Sequence, residues 1–207
     1  MDVLQSTNIV VKDSGKVTLD MNRIEEFAKG YDKNFSENWL SVAQFNLDHF
    51  TEKQKIEFLF ALDSISFCYW KQPRWIVSYE GKTYDGAKGM IACLGRLMIQ
   101  EPEAFEPENL ATMGEHKLES ILAGKNPIPL FRERLCFIRQ LGTITNNFYD
   151  GDFRNIIDES RYSAYRLSKR LYKSFPLFRD ESIYNGQTVY FKKRAQLLAA
   201  DLGHVLG

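Results

Sequence analysis

A carboxylate near the end of the chain stands out because its neighbours in sequence are apolar. Leu197, Leu198 and Leu202 flank Asp201, so a helix through this segment would bury the carboxylate at least partly. Burying a carboxylate is costly unless it is paired or hydrogen-bonded, and active sites concentrate such groups. Arg194 lies seven residues earlier, two helical turns away on the same face. The pattern indicates either a functional carboxylate at Asp201 or a structural ion pair or helix-capping contact.

A second acidic residue lies among aromatic side chains in the first third of the chain. Helical spacing would place Asp63, Phe67 and Trp70 on one face, and Tyr69 and Trp75 lie close by in sequence. An acidic group beside large rings could hydrogen-bond the polar edge of a stacked heterocycle. The alternative is an aromatic cluster of the core, in which Asp63 caps a neighbouring element.

A basic stripe follows further along the chain. It consists of Arg166, Lys169, Arg170 and Lys173, which recur at helical spacing. A phosphate could bind to such a positive face through charge-assisted hydrogen bonds. The solvated side of an ordinary helix has the same pattern, so both interpretations stay open.

Several familiar motifs are excluded. The Gly-Lys-Thr segment at 81–83 resembles the end of a phosphate-binding loop, but that loop needs a glycine at position 76, where the chain has Ile. No Gly-x-Gly-x-x-Gly fingerprint is present. No His or Cys residues have metal-ligand spacing, which argues against a structural zinc site. The three widely spaced cysteines predict reduced thiols in a cytosolic protein.

Helical periodicity along most of the chain predicts the elements that would position these groups. Helix starts are predicted at three typical N-cap residues, which are Thr51, Asp85 and Asp152. A short strand over residues 75–79 with a turn at 80–82 is predicted, and so is a hairpin with its turn at Asn185-Gly186. The sequence therefore predicts a mainly α fold with one or two short β-hairpins, in a single domain that spans residues 1–207.

The composition limits the classes of function. Lys plus Arg and Asp plus Glu each number 27, so the formal net charge of the 207-residue chain is zero. A protein that binds bulk duplex DNA usually shows a basic excess, so duplex nucleic acid is not an expected partner. No run reaches 18 apolar residues, and the N-terminus lacks the pattern of a secretory signal. We therefore expect a cytoplasmic protein that does not insert into a membrane.

Three blocks of the sequence resemble the queuosine salvage protein family, the queuosine 5′-phosphate N-glycosylase/hydrolases. The family pattern Asp-Ser-Leu-Asn-Phe-Cys-Phe-Trp is similar to Asp-Ser-Ile-Ser-Phe-Cys-Tyr-Trp at residues 63–70. The second block consists of residues 75–79, Tyr84-Asp85-Gly86 and Arg96. The third block consists of Phe-Arg-Asp-Glu at 178–181, Lys-Arg-Ala-Gln-Leu-Leu at 193–198 and Ala-Asp-Leu at 200–202. The resemblance runs from about residue 45 to the C-terminus.

The resemblance implies a fold and a reaction. The fold is a helical architecture similar to that of helix-hairpin-helix DNA glycosylases, with the base in a pocket between helical lobes. The reaction is hydrolysis of queuosine 5′-monophosphate, which releases queuine for reinsertion into tRNA. No metal and no other cofactor is implied. Asp201 matches the catalytic position, where a carboxylate beside C1′ would stabilise an oxocarbenium-like transition state and orient water.

The same resemblance supplies the other site residues. The expected substrate-binding residues are Asp63, Phe67, Trp70, Trp75, Tyr84, Lys193 and Arg194. Lys193 and Arg194 are the candidates for the 5′-phosphate. A 7-deazapurine has no N7 to protonate, so hydrogen bonds and stacking from residues such as Asp63 and Trp75 must stabilise the departing base. The expected partner is thus a small nucleotide, and no oligomeric state is indicated.

The chain is also expected to be shorter than its relatives. Family members continue with a C-terminal lobe that carries an Ala-Asp-Tyr-Arg motif, which this sequence does not contain, and Ser66 replaces the usual Asn of the family. A shortened member could bind queuine or a related 7-deazapurine nucleotide without cleaving it. The fold similarity also leaves a DNA or RNA glycosylase as a possibility, which the zero net charge disfavours.

Overall fold

The computed structural model describes residues 3–16, 18–31 and 39–206. Within these ranges helices dominate, and the strands form two short antiparallel hairpins. The prediction of a mainly α fold with short hairpins is therefore confirmed. The helix-hairpin-helix glycosylase architecture and the single domain over residues 1–207 stay predictions.

The elements follow one another in a simple order along the chain. They are α1 (Val3–Asp13), α2 (Met21–Gly30), α3 (Glu52–Ile65), β1 (Ile76–Tyr79), β2 (Lys82–Asp85), α4 (Gly86–Gln100), α5 (Pro107–Ala111), α6 (Glu115–Ile121), α7 (Phe131–Phe148), α8 (Phe153–Glu159), α9 (Ala164–Ser174), β3 (Glu181–Tyr184), β4 (Gln187–Tyr190) and α10 (Lys193–Leu206). They divide into two compact units, of which the first contains α1, α2, β3 and β4 and the second contains all the others.

The first unit combines two helices with the later hairpin. The Asn185-Gly186 turn closes this hairpin as predicted, and its residues have the positive φ values, +47° and +75°, that a type I′ turn requires. α1 packs against β4. There the buried hydroxyl of Ser6 accepts a hydrogen bond from the N–H of Tyr190 at 3.0 Å.

The second unit is built around α3, which is buried for most of its length. All ten residues from Ile56 to Ile65 are buried, and the helix packs against α4, α7, α8 and α10. Thr51 caps its N-terminus in a capping box with Gln54, as the sequence predicted for Thr51. A helix covered on all sides is normally apolar, so a buried Asp63 in its last turn needs a physical explanation.

α3 ends at Ile65, earlier than the sequence pattern suggested. Residues 66–70 are not helical. The interpretation that Asp63, Phe67 and Trp70 share one helical face is therefore wrong, because only Asp63 belongs to the helix. An arginine side chain from α7 donates to the carbonyl of Ile65, one of the terminal carbonyls that a helix leaves without an internal donor.

α10 brings the C-terminal part of the second unit back to its centre. It packs against α3 and α9, and its buried face includes Leu198, Asp201 and Leu202. Asp201 therefore lies on the same buried face as Leu198 and Leu202, whereas Leu197, the third flanking leucine, is half-buried. None of the described helices has both the length and the apolar character needed to cross a bilayer.

Gly142 of α7 allows a close approach to α5, and this contact can be tested. An added Cβ at Gly142 would lie 2.3 Å from the carbonyl oxygen of Pro107 and 2.3 Å from the nitrogen of Ala111. Both neighbours are backbone atoms of α5, so the clash can be relieved only if one of the two helices moves. We therefore expect Gly142→Ala to lower the free energy of unfolding by about 2 kcal/mol in urea denaturation, despite the better helix propensity of Ala.

Gly203 of α10 provides a matched control for this substitution. A Cβ added there meets no atom within 4 Å. Gly203→Ala should leave stability unchanged or raise it by up to about 1 kcal/mol, because only helix propensity is affected. If the two alanine variants were equally stable, the close contact between α5 and α7 would be contradicted.

Candidate active site

Two buried carboxyl groups meet between α3 and α10. Asp63, in the last turn of α3, is 0% exposed, and Asp201 of α10 is 4% exposed. The packing of α10 against α3 brings the two side chains within hydrogen-bonding reach. Two residues that the sequence singled out for different roles therefore belong to one site.

The proton state of this pair follows from burial and like charge. Burial, followed by the charge of Asp201 and a hydrogen bond with it, raises the pKa of Asp63 well above its usual value. Asp63 therefore keeps its proton under conditions that ionise an ordinary Asp, and it can donate that proton in a hydrogen bond to Asp201. Paired carboxyls in different protonation states can divide acid and base roles between them, as in glycoside hydrolysis.

Several buried polar atoms near the pair lack a well-formed hydrogen bond. No described N–H or O–H group donates to either carboxyl oxygen of Asp63, and the hydroxyls of Ser66 and Tyr69 have only poorly aligned contacts, with each other and, for Tyr69, with Arg134. Tyr69 lies close enough to Asp63 for the carboxyl to influence its pKa, which burial raises. Because buried polar groups are nearly always hydrogen-bonded in native proteins, this cluster indicates a place where polar ligand groups bind.

The predicted aromatic residues occupy different environments. Tyr69 stacks on Trp75 with 6.0 Å between ring centroids and an interplanar angle of 13°. The orientation of the Trp75 ring is fixed by a hydrogen bond, because its indole N–H donates to the carbonyl of Leu122 at 2.9 Å. Trp70, in contrast, is 77% exposed, and Tyr84 is half-buried on β2. The geometry thus joins Trp75 to the site through Tyr69, whereas roles for Trp70 and Tyr84 stay predictions.

Arg194 is engaged by protein groups. Its Nε and Nη2 donate to Oδ1 of Asp180 at 3.0 and 2.7 Å, and its Nη1 donates to the carbonyl of Ser64 at 3.2 Å. The guanidinium also lies 5.0 Å from the ring centroid of Phe67. Arg194 therefore connects the start of α10 to the end of α3, and a phosphate would compete with these bonds. Lys193 is exposed, and phosphate binding by either residue stays a prediction.

Sequence reasoning missed Arg134, and it assigned no role to Asp180, although Asp180 lies in the third block of the family resemblance. Arg134 lies four residues before Ile138, beside the apolar stripe of α7, and is fully buried. A cation on the buried side of a helix is a sign that the pattern could have revealed. Asp180 lies between a short turn and β3, and no spacing rule marks it as the partner of Arg194.

The sequence is similar to known proteins over the region that contains the residues of this site. The profile described as queuosine salvage protein matches residues 47–206. A protein of Sphaerobacter thermophilus, named queuosine 5′-phosphate N-glycosylase/hydrolase, is 30% identical over 98% of this chain. Proteins with the same name from Mus musculus and Schizosaccharomyces pombe are 29% and 28% identical, over 82% and 70% of this chain. The chain spans 62%, 52% and 46% of the lengths of these three relatives, respectively.

The matched region contains both helices that supply the carboxyl pair. Asp63 and Asp201 lie inside residues 47–206, as do Arg194 and its partner Asp180. The profile match thus covers most of the chain and includes the buried groups that sequence and structure both single out. The chain belongs to the queuosine salvage protein family.

Proposed function

We propose that this protein hydrolyses the N-glycosidic bond of queuosine 5′-monophosphate and releases queuine. The observation that carries this proposal is the buried Asp63–Asp201 pair inside the matched region. Three relatives that align with this region are named for the same activity. A small nucleotide also suits a chain with zero net charge, and we place the reaction in the cytoplasm.

In the proposed reaction, water attacks C1′ of the ribose while the bond from C1′ to the base nitrogen breaks. Positive charge develops on the ribose, and the carboxylate of Asp201 stabilises it. The same carboxylate accepts the proton that the attacking water loses. The ribose 5-phosphate keeps the oxygen of the water. The base leaves with the electron pair of the broken bond and takes up a proton from solvent, and Asp201 returns the proton that it accepted to solvent.

The departing base needs support of another kind, because a 7-deazapurine has no N7 to protonate. Protonated Asp63 has a single O–H, which in our proposal turns from Asp201 to an acceptor on the base when the nucleotide binds. The ring of Tyr69, supported by Trp75, offers a flat apolar face for stacking. Asp63 and Tyr69 thus have the properties expected for holding the base, while Asp201 acts on the ribose.

The proposal is tested by incubating the protein with queuosine 5′-monophosphate and measuring both products by mass spectrometry. Queuine and ribose 5-phosphate are expected in equal amounts. Queuosine without the phosphate tests recognition of the phosphate, and adenosine 5′-monophosphate tests recognition of the base. If the folded protein formed neither product, hydrolysis by this chain would be ruled out.

A further inference from the structure

Arg134 is a fully buried cation that bonds the end of the helix carrying Asp63. It is the fourth residue of α7, with 0% exposure. Its Nε donates to the carbonyl of Pro129 at 3.1 Å, and its two terminal nitrogens donate to the carbonyls of Ile65 and Phe67. Among the residues that the structure describes, no carboxylate forms an ion pair with it. A buried charge is costly, so its retention here indicates a specific task.

Aromatic rings supply the remaining contacts of the Arg134 guanidinium. Its carbon lies 4.3 Å from the ring centroid of Phe67 and 5.0 Å from that of Tyr69. Arg194 lies 5.0 Å from the same Phe67 ring, so two guanidiniums contact one ring. Cation–π contacts strengthen when the cation is desolvated, and these contacts therefore fix the rings as well as the arginine.

The segment that Arg134 holds is strained. Cys68, between the two contacted rings, has a φ of +50°, in the left-handed region that side chains other than glycine rarely adopt. Such a conformation persists only where the surroundings determine it, and it is often found at functional sites. Here the Phe67 carbonyl and the Tyr69 ring, one residue to either side of Cys68, are both contacted by Arg134.

The same bonds act on the end of the helix that carries Asp63. Arg134 bonds the carbonyl of Ile65, and Arg194 bonds that of the preceding residue, Ser64. Two guanidiniums thus donate hydrogen bonds to the two consecutive carbonyls that follow Asp63. At the C-terminal end of a helix these carbonyls have no backbone N–H donor within the helix. The direction of the Asp63 carboxyl and the place of Tyr69 therefore both depend on the segment that Arg134 fixes.

We propose that Arg134 is a positioning residue of this active site. Its guanidinium ends α3 at Ile65 and holds residues 65–69, so that Asp63 faces Asp201 and Tyr69 faces the base. The kinetic part of this proposal rests on the proposed function, whereas the structural part does not. The planar guanidinium is essential for this role, because only a planar group with several N–H donors can bond three carbonyls and contact two rings at once.

The first test is Arg134→Lys, which keeps the positive charge and loses the fork. We expect kcat for queuosine 5′-monophosphate to fall 10- to 100-fold, in the range that small misplacements of catalytic groups produce, with KM within about threefold. Arg132→Lys is the matched control, since Arg132 is exposed on the same helix. Its kcat should equal that of the wild type. Wild-type kcat in Arg134→Lys would overturn the proposal.

Chemical rescue separates positioning from general stability. In Arg134→Ala, guanidinium at low millimolar concentration should restore kcat at least tenfold, whereas methylammonium should not. If Arg134→Ala is folded by far-ultraviolet circular dichroism and guanidinium leaves its kcat unchanged, the proposal is overturned. If this variant does not fold, Arg134→Lys decides the question.

A spectroscopic test does not depend on turnover. The stacked Tyr69 and Trp75 rings contribute to the near-ultraviolet circular dichroism, and Trp75→Phe identifies that contribution. Arg134→Lys should lose it while keeping the far-ultraviolet spectrum, and Arg132→Lys should keep both. If wild-type protein showed no hydrolysis, the proposed function would fail, and this spectrum alone would decide the role of Arg134. A wild-type near-ultraviolet spectrum in Arg134→Lys would then contradict it.

Discussion

Replacing Asp201 by Asn is expected to lower kcat for queuosine 5′-monophosphate about 1,000-fold, a loss of about 4 kcal/mol of transition-state stabilisation. An amide neither accepts the proton of the attacking water nor carries the charge that stabilises the ribose cation. KM should change much less, because both interactions develop in the transition state. Single-turnover measurement of queuine release gives the rate of the chemical step directly.

The same variant should not lose stability. Asp201 is buried beside Asp63, and a neutral amide removes a buried charge while its carbonyl oxygen can still accept the hydrogen bond from protonated Asp63. Asp150→Asn is the control, because Asp150 is exposed at a φ of +51°, which Asn adopts readily. Full turnover in Asp201→Asn would remove this residue from the mechanism. A melting temperature several degrees below wild type would contradict the electrostatic description of the pair.

Replacing Glu57 by Gln is expected to raise the free energy of unfolding by about 3 kcal/mol at pH 8 and to leave it unchanged at pH 4. Burial raises the pKa of Glu57 from 4.5 to about 7, against the opposing effect of Lys53, and the charges of Glu106 and Asp152 contribute to the rise. Folded protein therefore binds the proton more tightly than unfolded protein. Wild-type stability should fall as the pH rises from 4.5 to 7, because Glu57 then ionises in the core.

Urea denaturation of wild type and Glu57→Gln at pH 4, 6 and 8 measures this difference. The neutral glutamine imitates protonated Glu57, so the two curves should diverge as the pH rises. Glu108→Gln, an exposed change on α5, should follow the wild type at every pH. Asp63→Asn should shift stability in the same direction as Glu57→Gln, since the pKa of Asp63 is also raised. Parallel curves for wild type and Glu57→Gln would contradict the burial of its charge.

Local features of the fold could be predicted closely from the sequence. Thr51 caps the N-terminus of α3, Asp152 caps that of α8, and Asn185-Gly186 closes a hairpin, each as expected. These features depend on hydrogen bonds and dihedral preferences within a few residues, which the local sequence determines. The C-terminal end of α3 was predicted incorrectly. The hydrogen bond to its last carbonyl, that of Ile65, is donated by Arg134, which lies far along the chain.

In the candidate site, too, the residue types could be predicted from the sequence, whereas their long-range contacts could not. Asp63 and Asp201 could each be recognised as acidic residues among apolar or aromatic neighbours, but their pairing could not. Arg194 was expected to contact a phosphate, and in the structure it binds Asp180 and Ser64. The charge and type of each side chain were known from the sequence, whereas its partners were not.

By itself, the sequence determined the helical elements, the family resemblance and the presence of two acidic residues in segments that would be buried. Only the tertiary structure decided that α10 packs against α3, so that Asp63 and Asp201 form one buried carboxyl pair. It also decided that two arginines fasten the segment after Asp63. The physical reason is distance along the chain: periodicity and capping act over a few residues, whereas the pKa of a buried carboxyl depends on whatever the packing of distant helices places beside it.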